Sequence, residues 1–122
     1  MPLCEKPVYI HEPTPLQCGQ AVLAMLSGKS VEEIIKIVDT ERETDLKMMY
    51  SALDRLGITY EKNRVAVNRR EELPEICFLS LETPRCWHWS LYFKGKFLDP
   101  EHGVLDDFPE SGRKYYWKIT DN

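Results

Sequence analysis

The chain has 122 residues, 43% of them apolar and 30% charged, a composition that fits one soluble domain able to bury a core without disulfide staples. Sixteen basic against twenty acidic residues leave a net charge of −4, which argues against the basic footprint of nonspecific nucleic-acid binding. The longest apolar stretch, Ala21 to Leu26, is far too short to span a bilayer, and no apolar run with a small-residue cleavage site opens the chain, so a cytoplasmic protein without stable membrane insertion is expected.

Residues 1 to 17 hold Pro2, Pro7, Pro13 and Pro15 and predict an extended lead-in. Gly19 to Leu26, small and apolar, predicts about two turns of buried helix that stop at Ser27-Gly28. Ser30 and Glu33 form a capping box, and Val31, Ile34, Ile35 and Val38 recur at amphipathic-helix spacing behind it. After a polar loop from Asp39 to Glu43, Thr44 is expected to cap a third helix with the stripe Leu46, Met49, Tyr50, Leu53 and Leu56, ended by Gly57.

Beyond Gly57 the period changes to two. Short strands are expected at Ile58–Tyr60 and Val65–Val67, a buried central strand at Ile76–Leu81, and an aromatic-rich strand at Trp87–Phe93. Lys94-Gly95 marks a hairpin turn, Lys96 to Asp99 returns, residues 99–103 form a turn, and Tyr115–Ile119 is the last strand. Helices first and strands after, without alternation, mean an α+β fold with an antiparallel sheet.

The four cysteines, Cys4, Cys18, Cys77 and Cys86, contain no C-x-x-C pair, which removes support for a zinc ribbon or a thioredoxin-like motif. Reduced thiols, most of them buried as small apolar groups, are expected. Cys18 is placed differently, where the proline-rich lead-in becomes a helix. A helix start presents unpaired N–H groups and about half a positive charge, both of which favour an anion there and can stabilise an oxyanion. A cysteine that merely begins a helix is the plain alternative.

In the strand 87–93, alternation sets His88, Ser90 and Tyr92 on one face and Trp87, Trp89, Leu91 and Phe93 on the core face. A hydrogen-bonded strand histidine is the plain reading of His88; as a partner of Cys18 it would move a proton. If Lys94-Gly95 is a two-residue loop, Asp99 lies opposite Ser90 and diagonal to His88, about 7 Å away between backbones. A carboxylate there could hold one ring nitrogen and leave the other for the thiol. A three-residue loop would reverse the parity, and Asp before Pro is also a common turn starter. Cys86 and His88, two apart, are a weaker metal or redox pair to which Cys18 or His102 could add; His102 itself is expected to be solvated.

Cysteine at a helix start, histidine in a later strand and aspartate ending the next strand resemble the papain-like cysteine peptidases, and most closely the bacteriocin-processing, double-glycine leader peptidases and their stand-alone relatives. Cys18-Gly19-Gln20-Ala21, Trp87-His88-Trp89-Ser90-Leu91 and Asp99-Pro100-Glu101-His102-Gly103 carry the resemblance, which spans residues 12 to 117. It implies a papain-like fold, helices packed on an antiparallel sheet, with Cys18 as nucleophile, His88 as general base and acid, and Asp99 as orienter. It implies a peptide or protein substrate, no cofactor and no metal, and any transporter or leader-peptide partner as a separate chain. The family's oxyanion glutamine, six residues before the cysteine, is here Glu12. Ionised, Glu12 would repel the oxyanion; protonated, it could donate, and His11 beside it could donate instead. A peptide-binding module of the same fold with weak or no turnover is the alternative, and Glu12 favours it.

Overall fold

The computed structural model describes residues 3–120, so the first two residues of the proline-rich lead-in lie outside it. Three helices precede a six-stranded antiparallel sheet: α1 Cys18–Ser27, α2 Val31–Val38, α3 Leu46–Leu56, β1 Val65–Ala66, β2 Ile76–Glu82, β3 Trp87–Phe93, β4 Lys96–Asp99, β5 Gly103–Leu105 and β6 Lys114–Lys118. The sheet order is β1-β6-β2-β3-β4-β5, an α+β arrangement with β2 and β3 at its centre. No described helix is long and apolar enough to cross a membrane.

α1 is buried along nearly its whole length because its small and apolar side chains leave no polar face to solvate. It packs with α2, α3 and one face of the sheet, around Leu23, Leu26, Ile34, Met49, Leu53, Phe78 and Leu91. α2 has the expected capping box, with Ser30 accepting from the Glu33 N–H and Glu33 accepting from the Ser30 N–H. Its buried stripe centres on Ile34, so Val31, Ile37 and Val38 pack beside it, and Ile37 takes the place expected of Ile35. The α3 cap is Asp45, not Thr44: the Asp45 carboxylate accepts from the Met48 N–H at 2.8 Å. Thr44 is buried instead, its carbonyl accepting from the Trp89 indole at 2.8 Å.

β2 is the buried central strand its apolar run predicts, because both faces are covered. The helical layer lies on one face; on the other, Cys77, Leu79, Leu81, Tyr92 and Phe97 form a smaller cluster under Phe108. Tyr92 and Phe97 meet edge to face. Three strand expectations change. Ile58–Tyr60 makes only an isolated bridge from Tyr60 to Ile119, β1 stops at Ala66, and Gly103, expected to end a turn, opens an edge strand that runs to Leu105. Trp87 also departs from the core: it is 45% exposed, although Trp89, Leu91 and Phe93 pack against the helices as alternation requires.

The β3–β4 turn is the two-residue form. Leu91 pairs with Leu98, Tyr92 with Phe97 and Phe93 with Lys96. Both turn residues have positive φ, Lys94 at 47° and Gly95 at 94°, the twist that matches a tight hairpin.

Candidate active site

Cys18 begins α1 without a side-chain cap. The amide of Gln17, just before it, donates to the Glu41 carbonyl at 3.1 Å, and Gln20 donates to the carbonyls of Thr40 and Arg42. The two glutamines therefore tie the helix start to the α2–α3 loop and leave the first-turn N–H groups without a side-chain acceptor. Gly19 lets that loop approach: a Cβ there would stand 1.9 Å from Thr44 Oγ1 and 3.1 Å from the Trp89 ring. The helix start is thereby pressed against β3, and the Trp89 backbone N–H reaches Cys18 Sγ at 3.4 Å.

Tight-turn parity sets Asp99 on the face of His88 and Ser90. His88 Nε2–H donates to Asp99 Oδ1 at 3.0 Å, and Ser90 Oγ donates to Oδ2 at 2.7 Å. Asp99 is also the turn starter suggested by its proline: its Oδ1 accepts from the backbone N–H groups of Glu101 and His102, both at 3.0 Å. His102, expected in solvent, turns back so that Nδ1–H donates to the same oxygen at 2.9 Å, with its side chain still 43% exposed. Asp99 and Ser90 are fully buried and His88 nearly so.

With Nε2 held by Asp99, the other ring nitrogen of His88 is left for the sulfur. A His88 nitrogen, Cys18 Sγ and a Glu12 carboxylate oxygen lie within 4.8 Å of one another. Burial would push the His88 pKa down, but hydrogen bonds and charge from Asp99 and Cys18 outweigh it and raise it to about 10. Burial would likewise push the Asp99 carboxyl up, but His88 above all, with Ser90 and His102, holds it well below the usual range. Both shifts favour the imidazolium–carboxylate form of the pair.

The lead-in carries Glu12 to this cluster. The Tyr9 hydroxyl donates to the Asp99 carbonyl at 2.6 Å and the Glu12 N–H to the Pro100 carbonyl at 2.9 Å, which pins the segment beside the β4–β5 turn. Glu12 is buried, and its Oε1 has no hydrogen-bond partner among the described residues. Burial raises its carboxyl pKa; the His88 charge lowers it, and Glu101 and Asp99 raise it further. His11 does not share this position. It is exposed, and its Nδ1–H donates to the Glu12 carbonyl at 2.8 Å, which braces the lead-in.

All four cysteines are free, but only Cys18 and Cys77 are buried, which corrects the expectation that most would be. Cys77 lies in the smaller core cluster, where burial pushes its thiol up and away from reactivity. Cys86 is exposed in the β2–β3 turn, its N–H donating to Thr83 Oγ1, and belongs to neither cluster of candidate metal ligands among the described residues. Those clusters, Glu12 with Cys18 and His88, and His88 with Asp99 and His102, share a histidine already committed to Asp99.

Ser90, His102, Tyr9 and the Trp89 N–H are site groups that sequence reasoning did not assign. Strand alternation and the turn register mark Ser90, and the Asp-Pro turn brings His102 back toward Asp99. Nothing local marks Tyr9 or the Trp89 N–H, whose contacts cross 90 and 71 residues of chain. The chain matches no family model and no curated protein sequence.

Proposed function

We propose that this protein is a papain-like cysteine peptidase or amide hydrolase acting on a peptide or protein substrate. The observation that carries the reading is one buried cluster in which the thiol of Cys18 and the carboxylate of Asp99 flank the His88 ring. His88, with a ring nitrogen within 4.8 Å of Cys18 Sγ, is placed to exchange a proton with it, and the thiolate is the nucleophilic form. The thiolate attacks the substrate carbonyl carbon, and an S–C bond forms while the carbonyl electrons move to oxygen. Collapse of this intermediate breaks the C–N bond as His88 passes its proton to the leaving amine. His88 then takes a proton from water, the resulting hydroxide displaces sulfur from the thioester, and the thiolate returns. The uncapped N–H groups of α1 and a protonated Glu12 are the oxyanion donors.

Alkylation by iodoacetamide tests this reading. At pH 7, Cys18 is expected to react at least about tenfold faster than exposed Cys86, and His88→Ala to abolish the difference. Equal rates at the two thiols in the unmodified protein would rule the hydrolase out and leave the peptide-binding module.

A further inference from the structure

Glu12, Cys18 and His88 bring three kinds of metal ligand to one point: a carboxylate oxygen, the sulfur and a ring nitrogen lie within 4.8 Å of one another. They come from separate parts of the chain, the lead-in, the start of α1 and β3. A tetrahedral zinc ion, bound at about 2.0–2.3 Å, holds its ligand atoms roughly 3.3–3.7 Å apart, so side-chain shifts of about an ångström close the set. Each ligand is already supported from behind. Asp99 accepts from His88 Nε2–H at 3.0 Å, the carboxylate–histidine support usual at metal sites, and leaves the other ring nitrogen able to ligate. The Trp89 N–H reaches Cys18 Sγ at 3.4 Å, and the Glu12 N–H is tied to the Pro100 carbonyl at 2.9 Å. The Glu12 carboxyl also lacks what a buried polar group needs: the residue is 7% exposed, and its Oε1 has no partner among the described residues. The neighbouring cluster of His88, Asp99 and His102 is not equivalent, because the Asp99 oxygens already accept from both histidines, Ser90 and two backbone N–H groups.

We propose that Glu12, Cys18 and His88 form a zinc site of three protein ligands, with the fourth position left to water. A thiolate and a carboxylate carry two negative charges, which match the divalent ion, and a neutral imidazole adds none. The sulfur selects zinc over magnesium and calcium, which take oxygen ligands. On binding, the thiol and carboxyl protons pass to solvent and lone pairs on sulfur, oxygen and nitrogen go to the metal, with no change of oxidation state. The site stands on ligand geometry, and its consequence rests on the hydrolase reading. Sulfur held by zinc does not attack a carbonyl, so zinc switches the hydrolase off. Glu12 is the residue that turns a cysteine–histidine pair into a three-ligand site.

Zinc chloride is added to metal-free protein and read by competition with a chromophoric chelator; cobalt chloride is read by absorption. The expected results are a sulfur-to-cobalt charge-transfer band that Cys18→Ser abolishes and a zinc affinity that Glu12→Gln lowers at least about tenfold. Glu12→Gln keeps the size of the side chain, and its thermal transition checks that it folds. Zinc should also slow iodoacetamide at Cys18 at least about tenfold and leave exposed Cys86 unchanged, and EDTA should restore the rate. Zinc bound as tightly by Cys18→Ser or by Glu12→Gln, or alkylation of Cys18 untouched by zinc, overturns the site and leaves the hydrolase standing. A metal-free Cys18 no faster with iodoacetamide than Cys86 overturns the hydrolase, and a zinc affinity that still depends on Cys18 and Glu12 then upholds the site alone.

Discussion

At the scale of single residues, the most informative side chain is Glu12. Its carboxyl is buried beside the Cys18 thiol with one oxygen unpaired among the described residues, and an unmet buried polar group costs about 1–3 kcal/mol, a cost that a use at the thiol would explain. If that use is donation to an oxyanion, Glu12→Ala should lower turnover about 10²–10³-fold. Glu12→Gln should retain it, since the amide donates at every pH. Burial raises the Glu12 pKa, so the protonated donor is present below that value and lost as pH rises through it. Peptidase activity should therefore fall off at lower pH in the unmodified protein than in Glu12→Gln; coincident profiles would exclude the donor role. Gly19 makes a second residue-scale case. Gly19→Ala drives a methyl into Thr44 Oγ1, at an overpacking cost of about 1–3 kcal/mol. In a denaturant double-mutant cycle, Thr44→Ala should return part of that loss.

Among the elements, the β3–β4 hairpin determines the most. Its two-residue turn sets the parity that puts Asp99 on the face of His88, and one added residue would have sent the carboxylate to the other side of the sheet. Lys94 meets a left-handed conformation that suits Asn better. Its pairing with Glu75 at 3.8 Å is exposed and contributes little. Lys94→Asn is therefore expected to stabilise the protein by roughly 0.5–1 kcal/mol in thermal or denaturant unfolding, without changing Cys18 reactivity. The elements also mark the limits of local reading. The capping box of α2, the αL glycines ending α1 and α3, and the alternation of β3 are legible because each depends on neighbours a few residues apart. Thr44 packs where its sequence position suggests a cap, because its environment is α1 and β3, both distant in sequence. β5 has no local signature because Gly103–Leu105 is a strand only by virtue of pairing with β4.

For the molecule as a whole, the site bridges the two sides of the sheet. His88 and Asp99 stand on the face away from the helices, and Cys18 comes from the helical layer. This buried ion pair links the site to stability. His88 is raised from 6.5 to about 10, so its contribution is complete below pH 6.5 and is lost as pH rises through about 10. Asp99 is lowered from 3.8, so the same interaction is complete above pH 3.8 and is lost as pH falls through its depressed value. The difference in unfolding free energy between the unmodified protein and His88→Ala should therefore be largest between about pH 3.8 and 6.5 and shrink toward pH 10. A difference constant with pH would show that folding leaves the ring's pKa unshifted, and one that shrank as pH fell below 6.5 would show a ring held neutral; either result overturns the ion pair.

The amino-acid order by itself determined the α+β class, most helix boundaries, the faces of β3 and the candidates Cys18, His88 and Asp99, since period, caps and turn chemistry act over a few residues. Tertiary structure alone decided that Thr44 packs rather than caps, that His102 and Ser90 join Asp99, that His11 turns to the lead-in, and that Glu12 lies buried beside the thiol. Those outcomes depend on which distant surfaces exclude water together, and burial sets both the charge state and the partners of a polar side chain.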